Sequence, residues 1–189
     1  MTPFLLHLLR HGAPETPGLL MGRTDGAPTA AGIAACRDKA AGLRVETIAC
    51  SDLARARLAA EAIGAHHGQV VRVDPRWREL DFGAWDGLSP DAIDADALSH
   101  FHDDPDAAPP PDGERWSALV ARIASAIAAM DGGDRLIVTH GGAMRAALAH
   151  LCGFSQPQLW AIDLPYAALL TLRLWPGEQP MAQIVGLQA

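Results

Sequence analysis

The chain predicts an α/β fold, a three-layer sandwich with a mostly parallel central sheet of about five to six strands flanked by helices. Three observations carry that expectation. Phe4 to Leu9 and Leu136 to Thr139 are continuous apolar runs without polar alternation, the mark of strands buried on both faces of a parallel sheet. Such runs alternate with stretches whose apolar residues recur at helical spacing, as parallel strands joined by helical crossovers require. Each run also ends at a glycine, a proline or a capping side chain.

Taken in order, Phe4 to Leu9 forms the first strand and Gly12 and Pro14 close it. Residues 13 to 28 carry Pro14, Pro17, Gly18, Gly22, Gly26 and Pro28 and read as loop. Thr29 caps a helix reaching Leu43, with Ile33, Cys36, Ala40 and Leu43 at helical spacing. Thr47 to Cys50 is a short strand, after which Ser51 and Asp52 offer caps for a helix over Leu53 to His66. Val70 to Val73 is a third strand, ended by Asp74-Pro75. From Arg76 to Glu114 no period survives; the stretch holds Trp77, Trp85 and a turn at Pro109-Pro110-Pro111. A helix from Glu114 to Met130 places Leu119, Ile123, Ile127 and Met130 on one stripe, and Gly132-Gly133 stops it. Leu136 to Thr139 then leads into His140-Gly141-Gly142 and a helix to Leu151. Two last strands, Ala167 to Trp175 and Met181 to Leu187, are joined by Pro176-Gly177.

With 189 residues the chain supports one full hydrophobic core, so a single domain over 1–189 is expected. Apolar residues at 49% and charged residues at 20% fit a soluble globular protein. The net charge of −7 disfavours nucleic acid and anionic membrane as partners, since both need a positive surface field. Phe4 to Leu9 is too short to span a bilayer, is broken by His7 and precedes no small-residue cleavage site. Cys36, Cys50 and Cys152 are odd in number and widely spaced, which speaks against a disulfide framework or structural zinc and for a cytoplasmic setting. The pairs His66-His67 and His100-x-His102 have no further ligands at useful spacing and are expected to be exposed. No metal or other cofactor is implied, and the sequence is silent on oligomeric state.

In sheets of this class ligands bind outside the carboxyl ends of the strands. Arg10-His11-Gly12, Ser51 to Arg55 and Thr139 to Gly142 each follow a strand. Three junctions therefore bring two histidines and two arginines to one sheet edge. A lone His11 is more often a hydrogen-bonded strand-end histidine, but its company changes the reading. Guanidinium forks and the N–H groups of a helix start suit the oxygens of a phosphate. A neutral imidazole among those cations is a nucleophile for phosphorus. Arg10, Arg55 and a protonated His140 would offset the charge that builds on the equatorial oxygens. The leaving alcohol needs a proton, and Glu79 is the best donor, with Asp81 its competitor.

These residues resemble the histidine phosphatase superfamily, also called phosphoglycerate mutase-like. The resemblance rests on Leu8 to Gly12, Gly22 to Asp25, Ser51-x-Leu53-x-Arg55-Ala56, Glu79-x-x-Phe82-Gly83-x-Trp85-x-Gly87, Asp112-Gly113-Glu114 and Thr139 to Gly142, in that order. It implies His11 as the phosphorylated nucleophile, Glu79 as proton donor and Arg10, Arg55 and His140 as the phosphate pocket. Arg23 and Gly141 join them as substrate-binding candidates. The pattern lapses where the family continues its first motif with Glu-Thr and, shortly after, Asn; here stand Ala13, Pro14 and Pro17, so one usual phosphate-contacting side chain is missing. Where the motif after Arg55 usually ends in Thr-Ala, this chain has Ala59-Ala60.

Within such a family the choice lies between phosphatase and cofactor-dependent phosphoglycerate mutase. A phosphohistidine-protein phosphatase or phosphate-binding regulator is a further alternative. Residues 88–113 are expected to lie over the pocket as an acidic lid holding Asp91, Asp94, Asp96, Asp103, Asp104, Asp106 and Asp112 and no lysine or arginine. An acidic lid disfavours phosphoglycerate, whose own charges need cations. The expected reaction is hydrolysis of a small-molecule phosphate ester through a phosphohistidine. The Phe82-Gly83-x-Trp85-x-Gly87 form looks most similar to alpha-ribazole phosphatases, which implies alpha-ribazole 5'-phosphate of cobalamin synthesis, its base stacked on Trp77, Trp85 or Trp116.

Overall fold

The apolar run near the N-terminus becomes β1, Phe4–Arg10, an interior strand of the sheet with partners on both sides. The computed structural model describes residues 2–189. β2 (Thr47–Cys50), β3 (Val71–Val73), β4 (Arg135–Thr139), β5 (Leu169–Trp175) and β6 (Met181–Gln188) complete a six-stranded sheet in the order β3-β2-β4-β1-β5-β6. The first four run parallel, while β5 is antiparallel to β1 and β6 to β5. Register fixes the geometry of the edge. Arg10 lies opposite Thr139 and Cys50 opposite Val138, so β1, β2 and β4 end side by side. Leu9 pairs with Leu169, so the antiparallel β5 begins at the same edge.

Helices cover both faces. α1 (Ala30–Ala40) and α2 (Ala54–His67) pack over Leu9, Ile48, Leu136 and Val138. α3 (Ala95–Asp103), α4 (Trp116–Ala128) and α5 (Gly141–Cys152) share the other core with Leu6, Leu8, Ile137 and Leu170, and the five-residue α6 (Gln156–Trp160) adds Leu159 to it. Alternate residues of β1 thus serve two cores, which is why the strand is apolar at every position but His7 and Arg10. α1 starts as expected, with the Thr29 hydroxyl accepting from Gly32 N–H at 2.9 Å. α2 does not use Ser51 or Asp52 as its cap: the N-cap is Leu53, and the Asp25 carboxylate of the preceding loop accepts from Ala54 N–H at 2.6 Å. α3 and α6 escaped the sequence reading, the first because it lies in a stretch without period, the second because one turn shows none.

One close approach brings α1 onto the end of β1. A side chain at Gly12 would sit 2.1 Å from the Gly32 carbonyl oxygen, so backbone meets backbone directly behind His11. No helix among the described residues is long and apolar enough to cross a membrane.

Candidate active site

His11 follows the last residue of β1, and its N–H donates to Thr139 O at 2.9 Å, continuing the β1–β4 ladder. Its side chain is 5% exposed. Nδ1–H donates to Gly12 O at 2.8 Å, which fixes the tautomer because a carbonyl can only accept, and leaves Nε2 bare. Burial pushes the imidazole pKa down to about 3, with the Arg55 guanidinium adding to it. The neutral imidazole expected from the sequence is there, but desolvation outranks like charge as its cause.

His140, the N-cap of α5, is fully buried with its ring centroid 5.1 Å from that of His11. Neither of its ring nitrogens meets a hydrogen-bond partner in the protein. Burial, then Arg55, His11 and Arg10, holds its pKa well below the usual range. The ligand-free protein therefore holds His140 neutral beside the buried Arg55 and the half-buried Arg10, and the protonated His140 expected during phosphoryl transfer would need a bound anion.

Arg55 is 1% exposed on the first turn of α2. It donates to the carbonyls of Thr24 at 2.7 Å and Met21 at 2.5 Å, so the loop before α1 wraps its guanidinium. Asp86 ties that loop down by accepting from the N–H groups of Arg23 and Thr24. Arg10 donates to Leu164 O at 2.6 Å, and its Nε has no partner in the protein.

The carboxylate of Glu79 accepts from Gly142 N–H at 3.0 Å and from Leu80 N–H at 2.9 Å. A methyl at Gly142 would lie 2.1 Å from Glu79 Oε1, so the glycine leaves room for the acid at the start of α5. The strand-free segment bearing Glu79 is held from three sides. Arg122 of α4 donates to the carbonyls of Arg76, Arg78 and Glu79 and pairs with Glu114 at 2.7 Å. Thr139 Oγ1 donates to Trp77 O at 2.7 Å, and Arg78 pairs with Asp52. Asp81, the competing candidate, pairs with Arg23. Burial raises its pKa, yet the Gly83 N–H and the Arg23 guanidinium, 2.9 Å away, outweigh that and keep it ionised.

Two cavities meet here. The smaller, about 120 Å³, is lined by Arg10, His11, Arg55, Glu79 and Tyr166. The larger, about 240 Å³, shares Arg10, Leu20, Glu79 and Phe82 with it and adds Phe101, Trp116, Trp160, Arg145 and Gln156. The structure thus brings together His11, Arg10, Arg55, Glu79, His140 and Gly141. It leaves out Arg23, which is spent on Asp81 and Asp86 and lines neither cavity. None of the seven aspartates of 88–113 lines either of these two cavities, and Asp94 and Asp104 cap local turns. That segment contributes Phe101, His102 and Pro105 instead, so the electrostatic case against phosphoglycerate falls. Trp77 and Trp85 are core residues, and only Trp116 of the three expected platforms faces the larger cavity. His66, His100 and His102 are exposed, as expected, the last stacking edge-on with Trp160, whereas His67 is half-buried and meets Ala40 O at 3.2 Å.

Sequence reasoning missed Tyr166, Arg145, Trp160 and Gln156. Tyr166 precedes an antiparallel strand, so the carboxyl-end rule did not reach it. The others stand on α6 or one helical turn into α5, where only the fold shows their direction. Among the described residues no group of three or more His, Cys, Asp or Glu side chains is placed to hold a metal ion.

Comparison with known proteins agrees with this geometry. The profile of the histidine phosphatase superfamily (branch 1) matches residues 6–185. The glucosyl-3-phosphoglycerate phosphatase of Mycobacterium tuberculosis is 37% identical over 119 residues, 55% of this chain and 53% of that protein. The chain thus spans about half the length of that curated relative. The adenosylcobalamin/alpha-ribazole phosphatase of Escherichia coli is 27% identical over 126 residues, 63% of this chain and 62% of that one. Among solved structures, native mycobacterial glucosyl-3-phosphoglycerate phosphatase superposes with a TM-score of 0.84 at 29% identity, covering 96% of each chain.

Proposed function

Since the chain belongs to the histidine phosphatase superfamily, we propose that it is a phosphomonoesterase that hydrolyses a small phosphate ester through a phosphohistidine. The observation that carries this reading is the tautomer of His11: Nδ1–H is spent on Gly12 O, so the bare Nε2 is the atom left to attack phosphorus in the cavity shared with Arg10 and Arg55. The P–N bond forms as the P–O bond to the alcohol breaks, and Glu79 gives the leaving oxygen its proton. In the second half the Glu79 carboxylate takes a proton from water, whose oxygen displaces His11 and frees inorganic phosphate. Arg10 and Arg55 offset the charge on the phosphoryl oxygens, and arrival of a dianion reverses the balance at His140, favouring its imidazolium. Residues 88–113 act as a lid through Phe101, His102 and Pro105.

The test is phosphate release from an aryl phosphate, with acid-labile, alkali-stable label from a 32P substrate on His11. Label on a serine or aspartate would overturn the mechanism. Glu79→Gln is expected to lose about 10²- to 10⁴-fold on alkyl esters and far less on aryl esters, whose leaving groups need no proton. Turnover of 3-phosphoglycerate only with a bisphosphoglycerate primer would favour the mutase reading instead.

A second, finer reading names the alcohol as alpha-ribazole. It is supported by the aromatic walls of the larger cavity, Phe82, Phe101, Trp116 and Trp160, which suit a flat base, and by the likeness to the Escherichia coli phosphatase. Alpha-ribazole 5'-phosphate should then show the highest kcat/KM in a panel that includes phosphoglycerates and phosphoserine, and a preference for either of the latter removes it.

A further inference from the structure

The loop after β1 gives the smaller cavity Pro14, Leu19, Leu20 and Met21, none of which can donate a hydrogen bond from its side chain. Pro17, near the place where the resemblance calls for a phosphate-contacting Asn, is exposed and lines neither cavity. A phosphoryl group seated on Arg10 and Arg55 therefore lacks a neutral side-chain donor from this loop. Of the residues that do line the cavity, Tyr166 alone carries a hydroxyl. Its ring lies over the Arg10 guanidinium, 4.3 Å from centre to carbon, and 5.5 Å from the His11 ring.

The backbone that carries Tyr166 is held in place at a cost. Ala167 is buried with φ of +60°, a left-handed conformation that an alanine adopts only when its surroundings impose it. Here they do. Ala167 N–H donates to His11 O at 3.1 Å, and Arg10 Nη1 donates to Leu164 O on the other side of Tyr166. The tyrosine turn is thereby fastened to both residues of the Arg10-His11 pair.

We propose that Tyr166 is a catalytic residue of this chain that donates its hydroxyl hydrogen to a phosphoryl oxygen, supplying from the turn before β5 the neutral side-chain contact that the proline-bearing loop after β1 cannot. The idea rests on the smaller cavity being the phosphate site. It adds that the ring and the hydroxyl have separate duties, the ring on Arg10 and the hydroxyl on the substrate. Tyr166→Phe keeps the first and removes the second. It should lower kcat/KM for an aryl phosphate, and weaken inhibition by orthovanadate, by about ten- to a hundredfold, the usual effect of losing one hydrogen bond to a charged group. Tyr166→Leu, which also removes the stack, should lose more. If Tyr166→Phe matches the wild type within twofold in both measurements, the proposal is wrong.

Because Tyr166 is the chain's one tyrosine, the unmodified protein offers a second measurement. Labelled with 13Cζ-tyrosine it gives a single phenol resonance, which saturating inorganic phosphate should shift. An unmoved resonance in phosphate-saturated protein overturns the contact even if the variants fail to fold. A wild type that releases phosphate from no ester at all is a failure of the phosphatase reading, whereas an active wild type with an indifferent Tyr166→Phe is a failure of this inference alone.

Discussion

At the scale of single residues, two buried histidines four apart in sequence show how neighbours decide a role. His7 in mid-strand is 5% exposed and meets the Thr171 hydroxyl at 2.9 Å through Nδ1, a partnered core side chain. His11 is equally buried but spends Nδ1 on its own neighbour and keeps Nε2 free in a cavity. Both are held below the ordinary imidazole pKa, chiefly by burial, and His140 is too. A depressed imidazole pKa means the unfolded chain takes up the proton first. Stability from His11 is therefore complete above pH 6.5 and falls as the pH drops towards about 3, by about 1.4 kcal/mol for each pH unit. Urea midpoints should decline from neutral pH to about pH 5, and His11→Asn should lose one proton from that slope. A midpoint indifferent to pH across that window contradicts the assignment of neutral buried imidazoles.

At the scale of elements, the site hangs on segments that have no regular structure of their own. Residues 76–81 carry Glu79 yet belong to no strand or long helix, and Arg122 of α4 holds three of their carbonyls. Arg122→Met would leave the Glu114 carboxylate, with 13% of its side chain exposed, without its partner. A loss of about 3–5 kcal/mol in urea unfolding is expected, in line with breaking one side of a buried ion pair. Gly142→Ala should act locally instead: the fold survives, Glu79 is displaced from the start of α5, and hydrolysis of alkyl esters falls more than that of aryl esters. Equal losses on both ester types would place Glu79 outside proton transfer. These elements also show where the sequence was legible. Parallel strands announce themselves by double burial, so Arg10, His11, Arg55 and His140 could be placed at one edge from pattern alone. Tyr166 could not, because β5 runs the other way and brings its first residues, not its last, to that edge. Arg122 and Arg145 looked like any helix-surface arginine, since a cation's partners across a fold leave no trace in local spacing.

At the scale of the whole molecule, charge is divided unevenly. The chain carries −7 overall, yet Arg10 and Arg55 face the smaller cavity against the single acid Glu79. The aspartates of 88–113 stay outside both cavities, so the acidic side chains lie apart from the two arginines that face the smaller one. Phosphate or orthovanadate should raise the melting temperature at constant ionic strength, by an amount set by about RT ln(1 + [L]/Kd), whereas chloride should not. No rise with saturating orthovanadate would contradict a preformed anion site. The nitrogens of Arg10 and His140 that find no partner in the protein have a consequence at the end of the catalytic cycle proposed above. Whatever draws an ester into that corner also detains the inorganic phosphate cut from it, so product competes with substrate. Under the proposed mechanism hydrolysis would slow when free phosphate is plentiful and quicken when it is scarce, a feedback that follows from three unpaired nitrogens.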